Sequence, residues 1–446
     1  MNPAAANAAA AGAPAPAATP AGRPPRPRLV RALCIGVVAL ALLEFVIATT
    51  GVQILKLPPA TDFASYYLAG ALAREARSPY DAVALAARGH ALGLAHDQAP
   101  FLYPPPFALA MQPFTRLSYP RARAVWMLLC TAALIAAVVW TGALLHRLAT
   151  RHRIENRDVV WIVLAGFAFA ALNSTSVHND IRAGSVGIIL YLALVAAAWG
   201  VLEGRATAAS AAFAAAALLK LAPAAVIPWA AWRGARRTAA LAVAWIGVAM
   251  LPALSRWGWT IVPEYARTVL LPILRREFPF PMNQSLDAVL SRLLVPNEYV
   301  QSWFDLPGLK HVLAAGLSIA VAALTLSTLR QRPRHPVLLP LELGYVVLAL
   351  LMLMKITWLH TLCAMLFVWP CLMLAILRAA ERGAPWSRRA AVWASVGFFL
   401  SSAHIPVLWS WLRHGPGVLL ISVHLVGLAI LWIVSRGVLR HQDDCL

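Results

Sequence analysis

One carboxylate in the sequence stands where it could act as a base at a membrane surface. Asp62 lies in the segment Thr-Asp-Phe-Ala-Ser-Tyr-Tyr, shortly after the first long apolar run. A carboxylate at the boundary between membrane and water is partly desolvated, which raises its pKa toward the range of a useful general base. Asp is also favoured as a helix N-cap, so the same residue could simply begin a helix. The sequence leaves both interpretations open.

A lysine and a histidine mark the end of a later apolar run. Lys355 and His360 lie on either side of Trp358. Cations that share one membrane boundary can bind a lipid phosphate. The alternative is that the lysine snorkels to the interface while the tryptophan and histidine anchor the helix end.

Three ionisable residues, Glu44, Lys220 and Glu342, lie inside apolar runs. Such groups are costly in a bilayer and usually face a cavity or a charged partner. They would suit a transporter or flippase for a lipid or small solute, which is the main alternative to an enzyme. Transporters often contain inverted repeats, and none is visible in this sequence. A non-catalytic membrane subunit is a third alternative.

Another polar group could bind a sugar. Asn283, Gln284 and Ser285 place two amides and a hydroxyl side by side, which suits sugar hydroxyls, although a polar turn is the alternative. The sequence shows no His-Glu-x-x-His, no Walker loop and no Gly-x-Gly-x-x-Gly in a usable context. The five cysteines have no Cys-x-x-Cys spacing, which indicates buried thiols rather than a metal site. We therefore expect no cofactor, and a divalent metal is neither required nor excluded.

The elements that must position these residues are membrane helices. Hydrophobic residues make up 61% of the chain and charged residues 13%, against about 25% charged in soluble proteins. Several apolar stretches approach or exceed the roughly 20 residues that cross a bilayer as a helix. They lack the short alternating segments of a membrane barrel. These stretches are 29–51, 124–145, 238–254, 312–329, 337–354, 361–377 and 418–434.

The distribution of charge predicts the topology. The net charge of +20 comes from arginines in short loops, which is the positive-inside pattern and predicts no nucleic-acid partner. Residues 1–28, rich in Ala and Pro, predict a disordered cytoplasmic tail. Residues 29–438 would form the membrane domain and residues 439–446 a cytoplasmic tail. The near-neutral loops 53–103 and 255–310 should face the outside.

The charge pattern does not determine the number of membrane crossings within residues 104–232. Residues 104–118 could be a short span or a re-entrant segment, and residues 206–232 could be one span kinked at Pro223 or a helical hairpin. Two short surface helices are expected at 62–77 and 79–95. Because both termini are placed inside, the number of crossings should be even, and we predict about 12 transmembrane helices in an all-α bundle.

Several motifs follow one another in order over roughly residues 30–380. They are Asp62-Phe63-x-x-Tyr66, Ser78-Pro79-Tyr80, Tyr103-Pro104-Pro105 with Pro113, Ala124 with Trp126, Lys220-x-x-Pro223 with Trp232-Arg233, Asn283-Gln284-Ser285-Leu286 with Arg292, and Thr357-Trp358-x-His360. This set resembles the integral-membrane glycosyltransferases of GT-C architecture. More closely, it resembles glycosyltransferase family 87, the polyprenol-phosphate-mannose-dependent α-mannosyltransferases.

The sequence departs from the family pattern at two places. Residues 183–187 read Ala-Gly-Ser-Val-Gly where the family often shows Gly-Gln-x-Asn, so both polar side chains are missing. Thr357 stands where the family has serine. These differences concern the identity of the sugar and acceptor more than the class of reaction.

The resemblance implies a specific reaction. A sugar, mannose or another hexose, would move from a polyprenyl phosphate to a hydroxyl of a lipid or glycan acceptor, with inversion, on the outer face of a bacterial plasma (inner) membrane. Asp62 would be the general base. The cations expected to hold the donor phosphate are His360, Arg292, Lys355 and Lys220. The residues expected to bind substrate are Tyr66, Tyr103, Asn283, Gln284 and Ser285.

Overall fold

The computed structural model describes residues 27–56, 61–94, 100–330, 335–405 and 408–446. These residues form α-helices joined by short turns. Within these ranges there is no β-strand, only one antiparallel bridge between Asn283 and Trp358. The predicted all-α class is therefore confirmed. The predicted disordered tail lies outside the described residues as far as residue 26.

The N-terminal part starts with a long apolar helix and continues with short helices at one end of the bundle. These helices are α1 (Pro27–Glu44), α2 (Val52–Lys56), α3 (Thr61–Arg74), α4 (Ala82–Ala91), α5 (Pro105–Met111) and α6 (Tyr119–Arg151). A π-helical stretch joins α1 to α2. The helices α3 and α4 fall close to the two surface helices that the sequence predicts.

Residues 104–118 do not form a full span. The helix α5 has 7 residues, which corresponds to a length of about 10 Å, and a 3₁₀ turn over Gln112–Arg116 follows it. Pro105 is the first residue of α5, a position that suits proline because no intrahelical N–H is needed there. The short helix leads the chain directly into α6, which has 33 residues.

The middle of the chain adds six helices. They are α7 (Arg157–Leu172), α8 (Thr175–Ala183), α9 (Gly187–Leu202), α10 (Ala206–Leu219), α11 (Val226–Trp232) and α12 (Arg236–Trp257). A bend of 42° separates α7 from α8. The bend occurs where Asn173 ends α7 and the Ser174 hydroxyl caps α8 by accepting a hydrogen bond from the backbone N–H of Val177.

Residues 206–232 form a helical hairpin rather than one kinked span. Lys220 ends α10 and donates from Nζ to Oγ1 of Thr361 (2.6 Å). The chain then returns through α11, so that Arg233 pairs with Glu342 at the start of the next long helix. That helix has 15 residues, so about 22 Å separate its start from the segment leading to Thr361. The apex of the hairpin is therefore at Lys220.

The C-terminal part begins with three short helices. These are α13 (Ile261–Tyr265), α14 (Leu271–Arg275) and α15 (Leu286–Leu294). The remaining helices are α16 (Pro307–Leu329), α17 (Leu339–Leu353), α18 (Val368–Glu381), α19 (Ser387–Ser402), α20 (Gly417–Ile421) and α21 (Val423–Arg440). A 3₁₀ helix over Leu359–Met365 precedes α18.

In the described part of the chain, seven helical stretches are long and apolar enough to cross a membrane, and the bent pair α7–α8 makes eight. They are Leu29–Lys56, Tyr119–Arg151, Arg236–Trp257, Pro307–Leu329, Pro336–Leu353, Leu359–Glu381 and Val423–Arg440. The predicted count of about 12 is not confirmed, because helices such as α9 and α10 are apolar but shorter than a full span.

The core and the periphery of the bundle differ in exposure. The central helix α17 is almost entirely buried. The outer helices α1, α12 and α16 instead leave large apolar side chains uncovered, among them Leu40 (68% exposed), Val248 (55%) and Ile319 (68%). Outward-facing apolar side chains of this kind are suited to contact with lipid.

Candidate active site

Asp62 lies in the first turn of α3 and faces a histidine. Its Oδ2 is 3.5 Å from Nε2 of His360, and the two side chains are 17% and 7% exposed. Burial raises the pKa of the Asp62 carboxyl, while the nearby Ser185 hydroxyl and the Lys220 ammonium group oppose that rise. A carboxylate with a raised pKa and little contact with water is suited to accept a proton.

Aromatic packing fixes the start of α3. Phe63 stacks on Trp126 with a centroid distance of 5.8 Å and an interplanar angle of 26°. Trp126 donates from Nε1 to the carbonyl oxygen of Gly184 (2.8 Å), which ties α6 to the turn after α8. The Ser65 hydroxyl donates to the carbonyl oxygen of Asp62 (2.8 Å). The base is therefore held by a rigid set of contacts.

Lys220 enters the same group of side chains from the apex of the hairpin. Its backbone is extended, with φ −145° and ψ 134°, so the helix ends there and the side chain leaves the helical path. Its ammonium group bonds Thr361 and lies near enough to lower the pKa of Asp62. The structure thus brings together Asp62, His360 and Lys220, three residues that the sequence places far apart.

His360 is positioned by backbone hydrogen bonds to the loop 281–285. The N–H of Gln284 donates to the carbonyl oxygen of Thr357 (2.7 Å), and the N–H of Leu359 donates to that of Met282 (3.0 Å). On the other side, Gly187 approaches the backbone so closely that a Cβ there would collide with the carbonyl oxygen of His360. Glycine is required at this position by the close approach.

Asp180 is a second buried carboxylate near the base, and the sequence analysis did not assign it a role. Its Oδ1 accepts from the N–H of Gly187 (2.6 Å) and its Oδ2 from the N–H of Ile188 (3.2 Å). It therefore stabilises the start of α9, as a negative charge at a helix N-terminus does. An Asp that precedes a glycine-rich break and a new apolar helix is a signal that could have identified it.

The two predicted tyrosines lie beside Asp62. The hydroxyl of Tyr66 donates to that of Tyr103 (2.5 Å), and the Tyr66 hydroxyl lies near enough to lower the pKa of Asp62. Tyr80 donates to the carbonyl oxygen of Tyr103 (2.8 Å). Burial raises the pKa of both Tyr66 and Tyr103 well above the usual range, so both hydroxyls stay protonated.

Asn283, Gln284 and Ser285 are fully buried and bond protein atoms. The side chains of Asn283 and Ser285 both donate to the carbonyl oxygen of Lys355 (3.1 Å each). Gln284 donates to the carbonyl oxygen of Ile421 (3.0 Å). These contacts hold the segment that carries His360, and the prediction that the three residues also touch substrate stays a prediction.

Arg292 and Lys355 also have protein partners. Nη1 of Arg292 donates to the carbonyl oxygens of Phe280 (3.0 Å) and Asn283 (2.7 Å), and its Nη2 donates to the Ser422 hydroxyl (3.0 Å). Burial lowers the pKa of Arg292 to about 9. Nζ of Lys355 lies 2.6 Å from a carboxylate oxygen of Asp287. Their predicted contact with the donor phosphate is untested.

In the ranges that the structure describes, no three His, Cys, Asp or Glu side chains are grouped so that they could hold a metal ion. The five cysteines are free and buried. The expectation that the reaction needs no cofactor stays a prediction, and the residues of the site suggest acid–base chemistry supported by cations.

Comparison with known proteins identifies the family. The model of glycosyltransferase family 87 matches residues 101–354, more than half of the chain. The match includes Tyr103, Asp180, Lys220 and Asn283, whereas Asp62 lies before it. No curated protein matches the sequence significantly. With its apolar helices, the chain belongs to glycosyltransferase family 87 and is a multi-pass membrane glycosyltransferase.

Proposed function

We propose that the protein transfers a sugar, mannose or another hexose, from a polyprenyl-phosphate donor to a hydroxyl group of a lipid or glycan acceptor. The observation that carries the proposal is the convergence of Asp62, His360 and Lys220 in one buried group. A carboxylate, an ammonium group and an imidazole that can donate a hydrogen bond are what a glycosyl transfer from a phosphate leaving group needs.

A narrow apolar groove of about 20 Å³ lies beside Lys220, and it would have to widen to admit the prenyl chain of a lipid-linked donor. Lys220 and Thr361 line it together with residues of α9, the hairpin and α17. The apolar wall residues include Leu190, Leu194 and Met354. A prenyl chain in this groove would place its phosphate beside the Lys220 ammonium group. A transporter would need a path through the bundle, and no observation on the described residues favours that alternative.

The reaction follows from this placement. Asp62 accepts the proton of the acceptor hydroxyl, and the hydroxyl oxygen forms a bond to the anomeric carbon. The bond between that carbon and the phosphate oxygen breaks, and the electron pair leaves with a phosphate monoester. Negative charge grows on this group, so Lys220, with His360 beside it, stabilises the transition state more than the ground state. Attack opposite to the leaving group inverts the anomeric centre.

We assign the end of the bundle that contains Asp62 to the outer face of a bacterial plasma membrane, with both termini in the cytoplasm. Arg147 and Arg151 pair with Glu203 where α6 and α9 end, and arginine-rich turns usually stay inside. Donor, acceptor and membrane lipids are the proposed partners.

Cysteine labelling tests the orientation, because the five native cysteines are buried. Val83→Cys and Asp305→Cys should react with an impermeant maleimide in intact cells, whereas Arg205→Cys should react only after lysis. The reverse pattern would overturn the orientation. Val83 is 81% exposed, so a lack of reaction there reports on the membrane side and not on burial.

The activity is tested with purified protein in liposomes. A short-chain prenyl phosphate mannose serves as donor and n-octyl α-D-mannoside as acceptor, with the prenyl phosphates of glucose, galactose and arabinose as further donors. We expect a glycosylated octyl mannoside and free prenyl phosphate in equal amounts, unchanged by EDTA. Turnover with nucleotide sugars alone would overturn the proposed donor class.

A further inference from the structure

A second cavity lies beside α3 and shares no lining residue with the apolar groove. It has a volume of about 440 Å³, within the range of small-molecule binding sites. Its walls come from α3, α4, the segment after residue 100, and the π-helical turn Ala266–Leu270. The side chains that matter here are those of Ser65, Leu68, Tyr80, Leu85, Phe101 and Thr268.

The cavity lies against the helix that carries the candidate base. Ser65 lines it and donates to the carbonyl oxygen of Asp62 (2.8 Å). The two residues are three positions apart on one helix, a rise of about 4.5 Å. Tyr80, on another wall, bonds the backbone of Tyr103, whose hydroxyl bonds Tyr66 beside Asp62. A molecule in the cavity therefore lies within about one helical turn of Asp62 along α3.

The side chains that line the cavity restrict which ligands can bind there. None of the described residues that line the cavity is charged. The hydroxyls of Ser65 and Thr268 already donate to backbone carbonyls, at 2.8 Å and 2.7 Å, so each offers mainly acceptor capacity. Leu68, Leu85 and Phe101 supply apolar and aromatic surface. A charged or wholly polar ligand would lose hydration without replacement contacts.

We propose that this cavity binds the acceptor, and that the acceptor is a neutral amphipathic glycoside with an apolar chain or ring attached to its sugar. The proposal rests on the proposed transferase function and adds the class of the second substrate. Donor and acceptor then reach Asp62 from separate sides, the donor from the groove at Lys220 and the acceptor past Ser65. Inverting displacement requires such an arrangement, because the nucleophile and the leaving group occupy opposite faces of the sugar.

Two positions on α4 provide a matched test. Leu85 lines the cavity, whereas Val83 on the same helix is 81% exposed. With n-octyl α-D-mannoside as acceptor, Leu85→Trp should raise the acceptor KM at least tenfold and leave the donor KM unchanged. Thr268→Trp, on the opposite wall, should do the same, and Val83→Trp should change neither constant. An unchanged acceptor KM in both Leu85→Trp and Thr268→Trp would overturn the proposal.

A second measurement does not depend on turnover. Octyl mannoside should slow the reaction of Leu85→Cys with a maleimide in detergent-solubilised full-length protein, and it should leave Val83→Cys unaffected. Equal rates with and without octyl mannoside would overturn the acceptor site even if transfer occurs. Protection of Leu85→Cys without any transfer would support the cavity as a glycoside site and count against the proposed transferase function alone.

Discussion

Two groups of charged side chains lie near the same end of the bundle, and their partners differ. The first, the active-site group, consists of Asp62, Lys220 and His360, in which Nε2 of His360 lies 3.5 Å from Asp62 and no shorter ion pair is formed. The second, the loop group, consists of Glu277, Asp287, Lys310 and Lys355. There Nζ of Lys310 lies 2.7 Å from Glu277 and 2.6 Å from Asp287.

The charged side chains of the loop group are paired with one another. Lys355 adds a second contact to Asp287 (2.6 Å), and the Ser291 hydroxyl donates to Glu277 (2.5 Å). Burial alone would raise the pKa of Glu277, but the hydrogen bonds from Lys310 and Ser291 hold it below its usual value. A carboxylate held between opposite charges in this way resists protonation.

Buried charge alone does not identify an active site, because the two groups differ in how their carboxylates are paired. In the active-site group the carboxyl of Asp62 has a raised pKa because burial outweighs its few partners. A buried carboxyl group whose pKa is raised can accept and release a proton during a reaction. The loop group, with a lowered pKa at Glu277, resists such exchange. Variants in the two groups should therefore fail in different ways.

The largest effect is expected for Asp62→Asn. The amide keeps the shape of the side chain but cannot accept the proton, so kcat for transfer to octyl mannoside should fall by about 10²–10⁴-fold. The protein should still elute as a folded species with an unchanged melting temperature. Asp305→Asn, at an exposed carboxylate of the second loop, is the control and should remain active. Transfer by Asp62→Asn at the wild-type rate would remove Asp62 as the base.

A smaller loss is expected for His360→Ala, compared directly with Arg292→Ala. His360 belongs to the active-site group, so its removal should lower kcat by roughly 10²-fold, as loss of one transition-state donor does. Arg292 holds Phe280 and Asn283 through their carbonyl oxygens, so its removal should mainly lower the melting temperature. A lower kcat or higher donor KM in stable Arg292→Ala protein would instead support its predicted role at the phosphate.

The dependence of kcat on pH tests, without a mutation, whether Asp62 acts as the base. Asp62 must be deprotonated to act as base, and its pKa is raised above the ordinary value of 3.8 by burial. Below that raised pKa, kcat should fall about tenfold per pH unit, because only the deprotonated fraction is active. Initial rates with saturating donor from pH 4 to pH 8 give the profile. A kcat that stays flat down to pH 4 would contradict a raised pKa at the base.

Much of the active-site group could be predicted from the sequence. The motifs around Asp62, Tyr66, Tyr103 and Lys220 carry the resemblance to the family, and the structure brings these residues together. The end of α10 at Lys220 follows from a local signal, the proline at position 223. The all-helical class follows from composition, because apolar runs without alternation leave the backbone no other way to satisfy its hydrogen bonds in lipid.

What could not be predicted depends on contacts distant in sequence. Asp180 is an exception, because its position before a glycine-rich break could have indicated that it accepts the N–H groups of Gly187 and Ile188. Asn283 and Gln284 look exposed in a polar loop, yet both are fully buried against later segments. The predicted count of about 12 helices is not confirmed, because apolar composition does not reveal that helices such as α9 and α10 are shorter than a full span.

Lys310→Met should remove two ion pairs of the loop group and lower stability, with little effect on the rate of transfer. Lys310 is 1% exposed and bridges two carboxylates, so its loss leaves Glu277 and Asp287 with Lys355 as their remaining ammonium partner. Removing one member of a buried pair typically costs about 3–5 kcal/mol, and the cost here should be smaller because the two carboxylates are partly exposed. We expect poor yield and a lower melting temperature, with near-normal kcat in the protein that remains folded. A normal melting temperature together with a low kcat would move Lys310 into the active-site group.

The smallest effect, and one of opposite sign, is expected for Arg123→Met. Arg123, in the first turns of α6, is 2% exposed, and within the described part of the chain its Nε and Nη2 have no hydrogen-bond partner. Methionine fills a similar unbranched shape without the unpaired charge, so the melting temperature should rise by a few degrees, in contrast to Lys310→Met. The measurement is thermal unfolding in detergent and in liposomes. If the melting temperature falls instead, the guanidinium group has a partner that only the membrane or a substrate supplies. An increase in donor KM would then identify that partner as the donor phosphate.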